Sequence, residues 1–249
     1  MIVLPMAGLS QRFFKAGYTV PKYMLDLHGR TVFAHALDSF SGLFSQEEFL
    51  IICRQIYDTP EFIRSECRKL GLPEDRYRIV ALEGETAGQA ETVATGLIAA
   101  NVGKAEPLTI FNIDTIRKGF HHPEAFDVSK VDGYVEVFPG EGTHWSFVRP
   151  DDTDPKAYRA AEVAEKVRIS NLCSTGLYHF RTVGLFQDLY ADIATRNPAD
   201  LQGGERYIAP LYNIAIQNGL DIRYSLISPD EVRFCGTPEE YLALKGESF

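Results

Sequence analysis

Short apolar runs alternate with amphipathic stretches through the first half of the chain. The apolar runs are typical of buried strands and predict strands over residues 2–7, 48–54, 77–82 and 107–112. The stretches between them have helical periodicity and predict helices over residues 31–40, 59–70 and 88–101. Strands that alternate with helices form a mainly parallel sheet covered on both faces, so we expect a Rossmann-like, three-layer α/β fold.

The second half of the chain is less regular. Its apolar runs predict strands over residues 133–138, 145–148, 162–167, 172–181 and 221–226. Its amphipathic stretches predict helices over residues 183–195, 205–218 and 237–244. No linker or repeat divides the chain, so we expect one domain over residues 1–249. Right-handed crossovers would place the loop after the first strand at the carboxyl edge of the sheet, where ligands bind in such folds.

Composition excludes several classes of function. The 249 residues carry a formal net charge of −9, opposite in sign to that of a general nucleic-acid binder. No apolar run reaches the roughly 18–20 residues of a membrane span, and no basic region precedes the first apolar run as in a signal peptide. The four cysteines lie far apart with no C-x-x-C pair, so we expect free, mostly buried thiols in a cytoplasmic protein.

Charge is unevenly distributed along the chain. The first thirty residues have a net charge of +3, whereas the remainder has a net charge of −12. The small residues Ala7 and Gly8 follow the first strand and allow a phosphate to approach backbone N–H groups closely. Arg12 offers a planar fork of donors, and Pro21 restricts the backbone just before Lys22. The loop matches neither G-x-G-x-x-G nor G-x-x-x-x-G-K-[ST]; both a polyphosphate cradle and a loop of solvated charges fit it.

Three charged side chains farther along the chain offer further chemistry. Asp114 follows the predicted strand 107–112, where its carboxylate would face the first loop and suit Mg²⁺. Glu165 and Lys166 are candidates to bind a hydroxyl and a phosphate of a second substrate. Because neighbouring strand residues point to opposite faces, both reach one substrate only if the strand twists or bulges there. The structural alternatives are that Asp114 is an ordinary Asp in a turn after a strand, and that Glu165 and Lys166 belong to a group of exposed ion pairs.

Five short motifs occur in a fixed order between residues 4 and 239. They are M-A-G-x-x-x-R-F with V-P-K-Y-M, T-A-G-Q-A at 86–90, N-I-D-T at 112–115, A-E-K with S-T-G-L-Y at 164–178, and G-T-P-E at 236–239. In this order they resemble the motifs of the sugar-phosphate nucleotidyltransferases, which have the nucleotide-diphospho-sugar transferase type of fold. The first loop, WSFVRPDD and AEKVRISNLCSTGLYHF are most similar to bacterial members associated with capsule or surface-polysaccharide synthesis.

The resemblance implies an Mg²⁺-dependent reaction in which an NTP (UTP, CTP or dTTP) and a phosphorylated acceptor, a sugar phosphate, give an NDP-linked product and pyrophosphate. Residues 1–115 would form the nucleotide-binding half and residues 116–249 the acceptor-binding half. The resemblance implies catalytic roles for Arg12 and Lys22, and it implies that Asp114 binds the metal ion. The implied nucleotide-binding residues are Met6, Ala7, Gly8, Gly88, Gln89 and Asn112, with Gly88 and Gln89 at the base. The implied acceptor-binding residues are Trp145, Glu165, Lys166, Thr175 and Gly176.

One position departs from the family pattern. Many relatives have a second metal-binding Asp in a D-x-G-T pattern, and Phe234 occupies that position here. Either Asp114, phosphates and water hold the Mg²⁺, or Asp230 or Glu231 supplies the second carboxylate. Two other interpretations stay open: a nucleotide-sugar-dependent glycosyltransferase of similar fold, and a non-catalytic nucleotide-binding relative. The choice of nucleotide, the acceptor and homo-oligomer formation stay open as well.

Overall fold

A computed structural model describes residues 1–247. Its strands are β1 (Ile2–Pro5), β2 (Asp26–Leu27), β3 (Arg30–Thr31), β4 (Phe49–Arg54), β5 (Tyr77–Leu82), β6 (Leu108–Phe111), β7 (Thr115–Arg117), β8 (Gly133–Pro139), β9 (Ser146–Pro150), β10 (Ala160–Glu165), β11 (Leu172–Phe180), β12 (Ile222–Leu226) and β13 (Val232–Phe234). Its α-helices are α1 (Gln11–Lys15), α2 (Val32–Asp38), α3 (Thr59–Leu70), α4 (Gln89–Ala99), α5 (Val183–Ala194), α6 (Leu211–Gln217) and α7 (Pro238–Gly246).

A nine-stranded sheet runs through both halves of the chain. One path through it has the order β10-β9-β11-β6-β1-β4-β5, and β8 joins β11 to β12. The predicted parallel pairing of the first half is confirmed, because β1 is parallel to β4 and β6, and β4 is parallel to β5. Strand β11 runs antiparallel to β6 and connects the two halves. The sheet is therefore mixed, and it is mainly parallel in the part formed by the first half of the chain, as predicted.

Helices cover both faces of this sheet. Alternate residues of β1 point to opposite sides: Val3 joins a core beneath α4, α5 and α6, whereas Leu4 joins a core beneath α2 and α3. This period of two is what a strand buried on both faces requires, and it explains the uninterrupted apolar runs in the sequence. The result is the predicted three-layer α/β fold, with the carboxyl ends of β1 and β6 opening at the same edge.

Several short elements escaped prediction from the sequence, among them the two-residue strands β2 and β3. Three others are α1 and the antiparallel pair of β7 and β13, in which Thr115 lies opposite Phe234. Each is only three to five residues long, too short to show a period. The pair joins segments more than 110 positions apart, so local pattern could not reveal it. It brings the segment after Asp114 beside the position of the missing Asp.

Most predicted elements differ by one or two residues from the bounds in the structure, and two of the departures have a clear physical reason. The helix predicted over residues 205–218 begins only at Leu211, because the preceding segment is pulled away to hydrogen-bond with the start of α4. The strand predicted over residues 162–167 ends at Glu165, because Lys166 adopts a left-handed conformation with φ of 55°. Both departures lie beside the site described below.

The cysteines and the helices agree with the sequence on two further points. The four cysteines are buried and free. Among residues 1–247, none of the helices combines the length and the apolar character needed to cross a bilayer.

Candidate active site

A cavity of about 700 Å³ opens at the carboxyl edge of the sheet. The loops after β1 and β6 form one wall, the bulge of β11 lies behind, and the turn between β13 and α7 closes one side. Of the residues predicted for the site, those that line the cavity are Met6, Ala7, Gly8, Arg12, Lys22, Gly88, Gln89, Asn112, Asp114, Trp145, Glu165, Thr175 and Gly176. The position of ligand sites at this edge is a general property of such sheets.

The loop after β1 is shaped to present backbone N–H groups and cations to the cavity. Ser10 has a left-handed backbone with φ of 52°, and α1 begins directly after it. The Ser10 hydroxyl accepts a hydrogen bond of 3.2 Å from the backbone N–H of Lys22, which ties the two basic segments together. Arg12 is exposed at the cavity wall. Cations and small residues thus converge where the sequence predicted a polyphosphate cradle.

Lys22 and Asp114 meet across the cavity although 92 positions separate them. The Lys22 ammonium donates to Asp114 Oδ2 over 2.5 Å, and each side chain is 21% exposed. The carboxylate predicted to bind a metal ion is therefore paired with a lysine. A charge-assisted contact between partly buried groups fixes both side chains at the mouth of the cavity.

Gln89 and Asn112 form a second polar pair on the nucleotide side. Gln89 Nε2 donates to Asn112 Oδ1 over 2.5 Å, so each amide is oriented by the other. Gly176 also lies very close to Asn112. A Cβ on Gly176 would lie 2.4 Å from Asn112 Nδ2, and φ at Gly176 is 87°. Only glycine fits there, since any side chain would displace the amide. Oriented amide donors and acceptors are what recognition of a base edge needs.

The acceptor side is built around Glu165, which is 6% exposed. Its Oε2 accepts a hydrogen bond of 2.5 Å from the Ser146 hydroxyl, which lies 3.0 Å from the Tyr178 hydroxyl. Burial raises the pKa of the Glu165 carboxyl, and the hydrogen bond from Ser146 and the charge of Lys166 oppose that rise. A poorly solvated carboxylate held in place by a hydroxyl is suited to bind a substrate hydroxyl.

We predict that Glu165→Gln is more stable than the wild type at neutral pH. A folded-state pKa raised above the unfolded value favours the folded protein at low pH, and that contribution is lost as pH rises through the folded pKa. The neutral amide removes this loss and still accepts from Ser146. The melting temperature should rise by about 2–4 °C per kcal/mol gained. Melting curves at pH 7 and near pH 4 measure it; an equal difference at both pH values would contradict the explanation.

Lys166 is the predicted site residue that lies outside the cavity lining, judged over the described part of the chain. Its ammonium donates to the hydroxyl of Tyr207, which does line the cavity, and lies 4.4 Å from the centre of the Tyr207 ring. The left-handed backbone of Lys166 is the irregularity that adjacent Glu165 and Lys166 needed in order to serve one substrate. Lys166 therefore lies at the rim of the cavity and Glu165 in its wall.

Aromatic side chains occupy the place of the missing Asp. The Phe234 ring lies 4.4 Å from the Trp145 ring and 5.0 Å from the Phe138 ring, centre to centre. Trp145 Nε1 donates to the carbonyl of Glu141, so the indole is fixed and offers the cavity a half-buried apolar surface. Phe234 thus supplies no metal ligand and adds to the apolar wall.

Thr175 lines the cavity, but its hydroxyl and carbonyl are hydrogen-bonded within the protein. Its hydroxyl donates to Glu136 Oε1 over 3.0 Å, and Glu136 is ion-paired with the buried Arg117. The Thr175 carbonyl accepts from the Thr115 hydroxyl over 3.0 Å. The residue is 1% exposed and ties β7 to the bulge of β11. A polar network behind the cavity therefore holds this wall.

Neither acidic residue proposed to replace the missing Asp is placed to do so. Asp230 and Glu231 lie outside the cavity lining, and Glu231 pairs with the buried Arg117 at 3.0 Å. Glu240, in the first turn of α7, lines the cavity instead. A Cβ built on Gly236 would lie 3.2 Å from Asp114 Oδ2 and 3.3 Å from Glu240 Oε2, so the glycine leaves room between two carboxylates.

This donor set fits Mg²⁺ in chemistry, although it is not a complete cage. Among residues 1–247 no cluster of three or more His, Cys, Asp or Glu side chains is arranged to hold a metal ion. Two carboxylates satisfy Mg²⁺ when phosphates and water supply its other oxygen ligands. Asp114 and Glu240 therefore suit a metal ion that arrives with a triphosphate.

Among the residues of the cavity wall that sequence reasoning missed are Glu205, Tyr207 and Glu240. The sequence around Glu240 has a local pattern, but this pattern predicts a helix cap and not a place in the cavity wall. Thr237 and Glu240 form a capping box, in which Glu240 Oε2 accepts from the Thr237 N–H over 2.9 Å. The sequence shows the cap but not that its carboxylate also faces Asp114.

Comparison with solved structures finds close agreement over the whole chain. The nucleoside-diphosphate-sugar pyrophosphorylase of Vibrio cholerae RC9 is 47% identical, with a TM-score of 0.91 over 99% of this chain and 100% of that one. The UDP-glucose pyrophosphorylase complexed with UDP-glucose is 17% identical, with a TM-score of 0.76 over 98% of this chain and 96% of that one. The inositol-1-phosphate CTP transferase of T. maritima is 14% identical, with a TM-score of 0.71 over 100% and 97%.

The last two similarities concern the fold alone. No protein-family model matches the chain, and no curated protein matches it. The likeness to the Vibrio structure extends through both halves and so includes every wall of the cavity.

Proposed function

Because this chain belongs to the nucleoside-diphosphate-sugar pyrophosphorylases, a family of sugar-phosphate nucleotidyltransferases, we propose that it joins an NTP to a sugar phosphate and releases pyrophosphate. One observation carries the proposal for this chain: Lys22 of the first loop and Asp114 after β6 meet at 2.5 Å in the cavity. A cation for phosphates and a carboxylate for their metal ion are thereby brought to one place.

The chemistry needs little from the protein beyond positioning and charge. An oxygen of the acceptor phosphate forms a bond to the α-phosphorus of the NTP while the bond to the bridging oxygen of pyrophosphate breaks. A phosphate monoester is already mostly dianionic near neutral pH, since its second pKa is near 6. No proton has to be removed, and the charge of the leaving pyrophosphate must be neutralised.

Residues of the nucleotide half perform this neutralisation. Backbone N–H groups at Ala7 and Gly8 and the guanidinium of Arg12 would bind the β- and γ-phosphates. Lys22 would exchange its contact with Asp114 for a contact with the phosphates when the nucleotide enters. Gly88 and Gln89 would bind the base, with Gln89 oriented by Asn112.

Residues of the second half hold the acceptor. Glu165 would accept a hydrogen bond from a sugar hydroxyl, Lys166 would bind the acceptor phosphate, and Trp145 would cover an apolar face of the sugar. The Gly176 bulge keeps the wall close to the nucleotide, so the two substrates would meet at the centre of the cavity. Such positioning removes much of the entropic barrier to a reaction of two molecules.

Asp114 would hold Mg²⁺, and the ion would supply positive charge to the phosphates of the nucleotide. We propose Glu240 as the second carboxylate in place of the Asp that Phe234 replaces. Glu240→Gln tests this, since glutamine also forms a capping box and so preserves the start of α7. We expect the affinity of this variant for Mn²⁺ in the presence of nucleotide to be lower than that of the wild type by about tenfold or more, as measured by electron paramagnetic resonance. Unchanged Mn²⁺ affinity, with Asp230→Asn as the matched control, would remove Glu240 from the site.

The activity is tested by mixing the full chain with Mg²⁺, each NTP in turn and a panel of sugar 1-phosphates. We expect pyrophosphate release with a pyrimidine nucleotide, UTP, CTP or dTTP. A nucleotide at 100 times its dissociation constant should stabilise the fold by about 2.7 kcal/mol in a thermal-shift assay. Stabilisation by an NTP without pyrophosphate release from any acceptor would favour the non-catalytic interpretation, which the aromatic Phe234 motivates. Transfer of sugar from a nucleotide sugar would favour a glycosyltransferase.

A further inference from the structure

A short segment, residues 202–207, begins with a 3-10 turn, contacts both elements proposed to bind substrate, and is called the strap below. At its end, Arg206 hydrogen-bonds to the loop before α4 in two places: the Arg206 N–H donates to Ala87 over 2.8 Å, and Ala90 donates to the Arg206 carbonyl over 2.8 Å. Between them, Gly88 has φ of 141°, and a Cβ there would lie 2.6 Å from the Arg206 backbone. The strap thus lies directly against the loop proposed to bind the base.

The side chain of Arg206 clamps this contact. Its guanidinium lies 3.2 Å from Glu91 Oε1 and donates over 2.8 Å to the carbonyl of Ala194 at the end of α5. Glu91 in turn accepts from the N–H of Ala87. Arg206 is 13% exposed, so this ion pair is partly shielded from solvent. The base loop, α4 and α5 are therefore held by one arginine.

The start of the strap contacts the acceptor side. Gln202 Oε1 accepts a hydrogen bond of 2.9 Å from the backbone N–H of Glu165. A Cβ on Gly203 would lie 3.3 Å from Glu165 Cγ, and φ at Gly203 is 79°, so the strap approaches β10 closely. At its other end the Tyr207 hydroxyl accepts from the Lys166 ammonium. Adjacent residues, Arg206 and Tyr207, thus contact the two sides of the cavity.

We propose that the strap couples the two substrate sites, with Arg206 as the positioning residue that transmits nucleotide binding to Glu165 and Lys166. The proposal rests on the proposed function, because it requires a nucleotide at Gly88 and Gln89. Nucleotide binding orders the base loop, the Arg206 side chain carries this order to the strap through its contacts with Glu91 and Ala194, and Gln202 and Tyr207 then hold the acceptor residues in place. The acceptor therefore binds more tightly once the nucleotide is present, and the reverse holds by thermodynamic reciprocity.

The backbone N–H of Glu165 offers a direct test, because it donates to the strap. Hydrogen exchange of the full chain is measured alone and with UTP, CTP or dTTP plus Mg²⁺. In the wild type, the nucleotide that binds should slow exchange both at residues 86–92 and at residues 163–167. The slowing at the second segment should be about fivefold or more, the lower end of common couplings between sites.

Arg206→Ala separates transmission from direct contact. Arg206 has no hydrogen bond to Glu165, so protection of residues 163–167 by direct contact with the nucleotide would survive this change, whereas transmitted protection would be lost. Arg223→Ala is the matched control, since Arg223 is similarly shielded and paired with Asp221 at 2.9 Å but lies outside the cavity lining. If Arg206→Ala does not fold by circular dichroism, Glu91→Gln weakens the same clamp and is used instead.

Each outcome of this experiment either supports or overturns the proposal that the strap couples the two sites. Nucleotide protection retained at residues 86–92 but lost at residues 163–167 in the Arg206 or Glu91 variant supports the proposal. Protection at both segments in the variant overturns it, as does wild-type protection confined to residues 86–92. If none of the nucleotides changes exchange anywhere, the proposed function itself fails, and the coupling fails with it.

Discussion

Replacing Lys22 with alanine should lower kcat by about 10²–10³-fold, which corresponds to about 3–4 kcal/mol of transition-state stabilisation. Lys22 is 21% exposed and lies beside Asp114, so its charge is inside the cavity and has to move only from Asp114 to the phosphates. A preorganised charge in a partly dry cavity is worth more than the same charge in water. Steady-state kinetics of pyrophosphate release measure the effect.

The control for this variant is Lys15→Ala. Lys15 belongs to the same basic segment and is exposed, but it does not line the cavity, so kcat should stay within about twofold of the wild type. If Lys22→Ala and Lys15→Ala behave alike, the segment acts only through its overall charge. A near-wild-type kcat for Lys22→Ala would remove Lys22 from the reaction.

Asp114→Asn should abolish most Mg²⁺-dependent turnover, with a loss of about 10²-fold or more, because metal stabilisation of phosphate charge is worth several kcal/mol. Asparagine preserves the shape of the side chain and removes its charge. The fold should remain, because an ion pair between partly exposed side chains contributes only about 0–1 kcal/mol to stability. Activity over a Mg²⁺ titration, together with the melting temperature, measures both parts of the prediction.

The matched control is Asp230→Asn, which changes an exposed acid close in sequence to the missing family Asp. We expect it to keep the Mg²⁺ dependence of the wild type. Asp114→Asn with the wild-type requirement for Mg²⁺ would place the metal elsewhere. If Asp114→Asn still binds the nucleotide phosphates normally but loses turnover, the contribution of the metal ion is separated from that of the contact between Lys22 and the phosphates.

Residues whose environment is local were predictable from the sequence. The small and basic residues after β1, Pro21 before Lys22, and the acid after β6 are each recognisable from neighbours within about twenty positions, and the structure brings Gly8, Arg12, Lys22 and Asp114 to one cavity. Helix α3 has the predicted bounds, and β5 does too, because each contains enough residues to show a clear period. The family motifs added the order of the elements and hence the side of the sheet on which they meet.

Residues whose role depends on distant partners were not predictable. Glu240 forms a helix cap in the sequence, and only the β7–β13 pairing brings that cap to Asp114. Residues 205–210 have a helical pattern, but two hydrogen bonds to the loop before α4 keep Arg206 outside the helix. Tertiary contacts of this kind override local propensity because they bury polar groups that must find partners.

The sequence by itself determined the layers of the fold and the two charged groups of the site, because apolar period and local charge are written in neighbouring residues. Only the tertiary structure decided that Lys22 pairs with Asp114, that Glu240 rather than Asp230 or Glu231 lies beside Gly236 with Asp114, and that the strap contacts both β10 and the loop before α4. These are distances between residues far apart in the chain. They are set by how strands pair and bulge, which depends on the packing of the whole sheet.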